Sequence, residues 1–197
     1  MAKILIINGS PYLNGSCGNA AKLIKTKSKD YDIFWIGKQV AQCENCRVCK
    51  RNSVCKFKDS VNEFINIAEK YDGYIFISPV YYGNISSQLE SFLTRVFFAN
   101  PKKMMFKPVA GVTISRRSGN TNAFCRLNMF FLMHSMIVVG SQYWNEIYSD
   151  EHSNITKDKE GIQTINTLMD NMEYVIRCLK YQNKPIKRKY IHTNFIR

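Results

Sequence analysis

The sequence predicts an open α/β fold, a parallel sheet with helices on both faces. Short apolar runs alternate with amphipathic stretches along the chain, and the last of these carries one continuous apolar stripe. Five runs read as strands: Lys3 to Asn8 (KILIIN), Tyr31 to Ile36 (YDIFWI), Gly73 to Ser78 (GYIFIS), Pro108 to Ser115 (PVAGVTIS) and Met136 to Ser141 (MIVVGS). The stretches between them predict helices at about Ala20 to Thr26, Val61 to Lys70, Ser86 to Phe98 and Thr121 to His134. A final helix runs from Asp158 to about Tyr181, where Ile162, Ile165, Leu168, Met169, Met172, Val175, Ile176 and Leu179 recur at three- and four-residue spacing and should pack on the sheet.

At 197 residues the chain is expected to form one domain, residues 1–183, followed by a basic tail, residues 184–197. A chain of this size buries roughly 70% of its unfolded surface, enough for a full core. Hydrophobic content of 45% and charged content of 22% exclude disordered and collagen-like classes. No segment reaches the roughly 20 apolar residues of a membrane span, and MAKILIING runs straight into a strand, so a cytoplasmic protein is expected. Seven cysteines, an odd number with four crowded together, do not make a secreted disulfide scaffold.

The net charge of +13 would suit nucleic acid, anionic lipid or a phosphorylated cofactor. Lys and Arg are nevertheless scattered, with one modest cluster at Lys184, Lys187, Arg188, Lys189 and Arg197. Such a tail reads as a solvated or subunit-contacting arm, and nucleic-acid binding is not expected.

Open sheets bind ligands beyond the carboxyl ends of their strands. Three loops lie at that edge. The first, Asn8 to Ala20, combines Gly9, Gly15 and Gly18 with Ser10, Ser16 and Asn19 just before a helix, where backbone amides, hydroxyls and the helix dipole suit a phosphate. It is neither a Walker A loop nor a G-x-G-x-x-G fingerprint, and an ordinary glycine-rich turn is the alternative. In the second, Ser78 to Asn84, two tyrosines and a Gly-Asn turn suit a flat heterocycle; a surface turn is the alternative. The third, Ser115 to Asn120, presents two arginines that would stabilise an anionic ring, or would simply be solvated.

The long stretch Lys38 to Ser60 holds Cys43, Cys46, Cys49 and Cys55. Four thiolates on one loop suit a compact iron–sulfur cluster; zinc, or reduced thiols without metal, are the other readings. Electron transfer follows if the cluster is real.

In order, NGSPYLNG, the cysteine run ending CKFKDSVNEF, SPVYYGNISSQLESFLTR, SRRSGN, VVGSQYWN and KDKEGIQTINTLMDNM resemble the NADPH-dependent FMN reductase and iron–sulfur flavoprotein family over nearly the whole chain to about Lys180. The resemblance implies a flavodoxin-like three-layer sandwich with a five-stranded parallel sheet of order 2-1-3-4-5, bound FMN, and a homodimer or homotetramer. It implies phosphate contacts from Ser10, Asn14, Gly15, Ser16, Cys17, Gly18 and Asn19. Ring contacts would come from Pro79, Val80, Tyr81, Tyr82, Gly83 and Asn84, and the opposite wall from Ser115, Arg116, Arg117, Ser118 and Gly119. A [4Fe-4S] cluster would take Cys43, Cys46, Cys49 and Cys55 as ligands. The implied activity is an FMN-dependent oxidoreductase passing electrons from NAD(P)H, or a ferredoxin-like carrier, to a quinone, nitro compound, flavin or other acceptor. In this reading no side-chain catalyst is needed, because the cofactor carries the chemistry.

Among the remaining candidates, His134 reads as a core or helix-end histidine, and His152 and His192 lie in polar loops. Cys17 is either an activated thiolate near a helix start or a small loop residue, and Trp144 and Asn145 either cap the flavin or pack in their loop. A zinc-binding, nucleic-acid-associated protein would explain charge and cysteines without the strand-end loops. An interaction module of the same fold would need no chemistry at all.

Overall fold

The structure, a computed structural model, describes residues 2–150, 154–186, 188, 189 and 191. His152, Lys187, His192 and Arg197 lie outside the described residues. Strands β1 (Ile4–Asn8), β2 (Tyr31–Trp35), β3 (Gly73–Pro79), β4 (Pro108–Ser115) and β5 (Ile137–Val138) form a parallel sheet of order β2-β1-β3-β4-β5. A sixth strand, β6 (Glu146–Tyr148), also pairs with β4. Every residue of β1 and β4 is buried, as parallel strands covered on both faces require.

Successive side chains serve opposite layers. Leu5, Ile7, Tyr74, Phe76 and Val109 pack under helices α3 (Ser60–Ile67), α4 (Ser87–Ala99) and α5 (Asn120–Met133). Ile4, Ile6, Ile75, Ile77, Ala110 and Val112 pack under α1 (Ser16–Lys25) and α6 (Lys159–Leu179). Phe64 centres the first layer, with ring centroids 5.7 Å from Phe34, 5.3 Å from Phe92 and 6.2 Å from Phe76. The expected stripe of α6 buries Ile165, Leu168, Met169, Met172 and Ile176 on the second. Among the described residues, no helix is long and apolar enough to cross a membrane.

Two elements depart from the sequence-based expectation. Helix α1 starts at Ser16 instead of Ala20, so the polar residues read as loop form its first turn. The turn closes locally despite weak helix propensity: the Asn8 side chain braces the preceding loop by donating to Leu13 O at 3.3 Å, and the Asn19 amide makes the first intrahelical bond, to Gly15 O at 2.9 Å. Gly18 allows this path, because a Cβ there would lie 1.9 Å from Leu13 O.

The fifth strand position is also split. β5 pairs with Pro108 and Val109 only, the chain leaves the sheet after Val139, and β6 returns to pair with Thr113, Ile114 and Ser115. Between the halves the Asn145 side chain donates to Gly111 O at 3.1 Å, filling the missing rung.

Candidate functional site

The loops that follow β1, β3 and β4 meet at the carboxyl edge of the sheet. Ser86, the N-cap of α4, donates to Gly9 O at 2.6 Å, while the Gly9 amide donates to Ile77 O at 2.8 Å. The first two loops are thereby tied together. Asn8 accepts the Ser10 amide at 3.0 Å, and Trp35 Nε1 donates to Ser10 O at 2.8 Å. The Ser10 hydroxyl accepts the Tyr12 amide at 3.1 Å and keeps its proton to donate. Helix α1 has Gly15 as N-cap, without a side-chain cap bond and with no acidic residue in its first turn. Its leading amides and dipole therefore favour an anion at the loop. Lys22 reaches Asn14 Oδ1 at 2.9 Å. Cys17 is fully buried against the sheet and burial pushes its thiol well up, so its side chain is a packing group.

In the second loop Tyr81 and Asn84 exchange backbone hydrogen bonds of 2.9 Å each around a tight turn with Tyr82 at φ 51° and Gly83 at φ 72°. This is the pattern of a primed turn, and a tyrosine in the left-handed region costs about 1 kcal/mol. Its ring is fully exposed at the edge of the loop. Tyr81 is half-buried, and burial raises its phenol. Val80 donates to Ile114 O at 2.9 Å, anchoring the loop that follows Pro79 to β4.

The third loop closes on the second at Gly119, whose φ is 92° and where a Cβ would lie 3.0 Å from Gly83 Cα. Asn122 also donates to Gly83 O at 2.5 Å. Arg116, Arg117 and Ser118 are exposed, and Arg116 lines an open cleft of about 620 Å³ with Ser149, Asn154 and Lys157. A cleft of about 670 Å³ lies at the opposite edge, by Ala2, Asp72 and Pro108, where strands begin. Around the end of β4, the Ser115 hydroxyl, both polar atoms of the Asn120 amide and Asn145 Oδ1 are buried without a partner among the described residues, as are Asn128 Oδ1 and Asn166 Oδ1 on the helices. Such groups are costly unless a further group bonds them, and a polar ligand at this edge would supply that bond.

The remaining candidates separate clearly. Trp144 is half-exposed beside Tyr143, while Asn145 is locked into the sheet. His134 stacks on Phe97 at 4.3 Å between ring centroids at the end of α5, the helix-end place expected of it, and burial lowers its pKa.

All four cysteines of the long loop line one pocket, together with Phe57, Phe98 and Arg95. The loop contains a short helix, α2 (Val48–Asn52), and curls through Asn45, Arg47 and Ser53, three non-glycine residues in the left-handed region. Strain of this kind gathers at functional sites. Cys49 and Cys55 pack against the core, and Cys46 is exposed. Burial pushes the Cys49 thiol up, and the charges of Cys55, Cys43 and Cys46 add to this. Among the described residues no three ligands close on one point as a single metal ion demands; a cubane spreads four thiolates over four irons. Four thiols lining one pocket match that group in donor type.

Sequence reasoning missed the residues that hold this pocket. Asn62 bonds Cys55 N at 2.8 Å and Cys55 O at 2.9 Å, and Arg95, buried in α4, grips Asp59 with two nitrogens at 2.6 and 2.8 Å. A cation inside FLTRVFFA was the available signal, since a charge on an apolar helix face must be paired. Ser149, Asn120 and Asn8 carry no comparable mark.

An open parallel sheet of this order with three converging edge loops defines a flavodoxin-like protein. The chain belongs to the NADPH-dependent FMN reductase family, whose characteristic sequence matches residues 2–149. It is thus an FMN-dependent oxidoreductase by class. An iron–sulfur flavoprotein of Methanocaldococcus jannaschii is 28% identical over 194 residues, covering 90% of this chain and 99% of that protein. One of Archaeoglobus fulgidus is 23% identical over 180 residues, covering 82% and 91%. The solved structure of the flavodoxin WrbA-like protein of Agrobacterium tumefaciens superposes with a TM-score of 0.66 at 16% identity, covering 90% of this chain and 99% of that one.

Proposed function

We propose that the chain binds FMN in the three-loop edge and a [4Fe-4S] cluster at Cys43, Cys46, Cys49 and Cys55, and relays electrons from NAD(P)H or a ferredoxin-like carrier to a quinone, nitro, flavin or other acceptor. The observation that carries this reading is the convergence of an uncapped helix start, a strained tyrosine turn and a doubly cationic loop on one edge. Bound FMN would supply the one- and two-electron chemistry. Ser10, Ser16 and the first-turn amides of Ser16, Cys17 and Gly18 would hold its phosphate, with Asn14, Gly15 and Asn19 shaping the loop. Pro79, Val80, Tyr81, Tyr82, Gly83 and Asn84 would position the ring, opposite Ser115, Arg116, Arg117, Ser118 and Gly119. Arg116 and Arg117 would supply the positive charge that a reduced, anionic ring needs as its counter-charge. We further assign the protein to the cytoplasm as a homodimer or homotetramer. The 28% identical iron–sulfur flavoprotein supports the cluster as well as the flavin.

Anaerobic purification, iron and sulfide reconstitution, and measurement of flavin, iron and the EPR of the reduced protein test both halves. One FMN and four irons per chain are expected. Colourless protein overturns the whole reading. Yellow protein that stays free of iron leaves a plain FMN reductase, with the four thiols structural.

A further inference from the structure

We propose that Arg95 is the fixed cationic donor of the cysteine pocket: it holds the Cys55 sulfur and sets the reduction potential of a cluster bound there, an assignment that rests on the cluster reading above. Arg95 is 2% exposed, although it carries a full charge on a helix that otherwise buries apolar side chains. Burying a charge costs several kcal/mol unless it is paired, so the position demands a reason.

Its bonds supply one. Nε donates to Cys55 Sγ at 3.2 Å, Nη1 to Ala41 O at 3.1 Å and to Asp59 Oδ2 at 2.6 Å, and Nη2 to Asp59 Oδ1 at 2.8 Å. The guanidinium also lies over the Phe57 ring, 4.8 Å from its centroid. Asp59 is held in turn as the N-cap of α3, accepting the Val61 amide at 3.2 Å. The fork thus spans both ends of the cysteine loop, Ala41 before Cys43 and Asp59 after Cys55. One nitrogen is left aimed at one sulfur. The surrounding cations Arg47, Lys50 and Lys56 sit on exposed positions, where solvent screens them.

Hydrogen bonds to ligand sulfur withdraw charge from it and favour the reduced state, which carries one more negative charge for each electron taken up. A donor fixed in a buried site acts more strongly than one exposed to solvent. Arg95 therefore raises the potential and slows loss of iron at the Cys55 corner.

The test compares wild type with Arg95→Met/Asp59→Asn, which removes both charges together so that neither is left buried alone, and with Arg95→Lys, which keeps a charge but not the fork. Flavin content reports the fold. After anaerobic reconstitution, iron release to a ferrous chelator and the midpoint potential from an EPR-monitored titration are measured. The double variant is expected to release iron about 10-fold faster, as loss of an outer-shell partner typically does. Its potential should also fall, with Arg95→Lys between the two. Loaded wild type and variants with the same release rate and potential overturn the role of Arg95. Should the double variant lose its flavin, Arg95→Lys decides alone, and wild-type behaviour in it overturns the proposal. Wild-type protein that takes up no iron overturns the cluster itself.

Discussion

The hydroxyls of Ser16 and Ser149 lie 2.9 Å apart, joining the first turn of α1 to the end of β6 across 133 residues of sequence. Ser149 in turn donates its amide to Ser115 O at 2.9 Å. The proposed phosphate loop is thereby fixed to the last strand as well as to its own helix.

A hydroxyl bond to a charged phosphate contributes about 1–2 kcal/mol, so Ser10→Ala/Ser16→Ala should weaken FMN binding by roughly 100-fold. Flavin fluorescence titration of apoprotein measures this. Affinity equal to wild type would remove both hydroxyls from the phosphate site.

Gly119→Ala should be destabilising as well as damaging to flavin binding. Its φ of 92° is strained for any residue with a side chain, at about 1–2 kcal/mol, and the added carbon meets Gly83 Cα at 3.0 Å. Thermal unfolding and FMN titration read the two effects separately. A variant with wild-type Tm and affinity would show that the second and third loops need not touch.

Replacing Arg116 and Arg117 together by Ala should lower the flavin midpoint potential, because the reduced anion loses its counter-charge. Spectroelectrochemical titration measures the shift. An unchanged potential would assign that charge elsewhere, since both side chains are exposed and one of them must carry the effect.

Stability should fall with acid through His134. Burial holds its folded pKa below the ordinary value of 6.5, so the unfolded chain binds the proton more readily. The contribution is present above pH 6.5 and is lost as pH falls from there through the folded pKa. His134→Phe keeps a ring against Phe97 and removes the titration; its Tm should vary less with pH across that window. Parallel wild-type and variant curves would discount the histidine.

The five apolar runs and the α6 stripe made the sheet and its layers legible, because continuous burial leaves a direct mark on composition. The three edge loops were legible through glycine, hydroxyl and arginine placement. The start of α1 was not, since Ser16 to Asn19 include weak helix formers and the Asn8 side chain that braces the loop before them, at Leu13 O, leaves no periodic pattern. Nor was the split of the fifth strand. It depends on the Asn145 side chain replacing a backbone rung on Gly111, a long-range substitution that local pattern does not encode. Arg95 stood in plain view within α4, yet its partners Asp59 and Cys55 lie 36 and 40 residues away.

That interrupted fifth strand separates shape from chemistry in one segment of chain. The stretch between Val139 and Asn145 leaves and rejoins the same neighbour, so both its ends are pinned while Tyr143 and Trp144 stand half-exposed between them. Its middle is tied to α6 by Asn171, which donates to Gly140 O at 2.8 Å, and by Gln142, which reaches Thr164 Oγ1 at 3.2 Å. Neither tie is a rung of the ladder, and added length costs only about 0.6 kcal/mol for each doubling. The sheet thus carries a replaceable cartridge, a place where descendants of this chain, or an engineer, can exchange surface chemistry without refolding the protein.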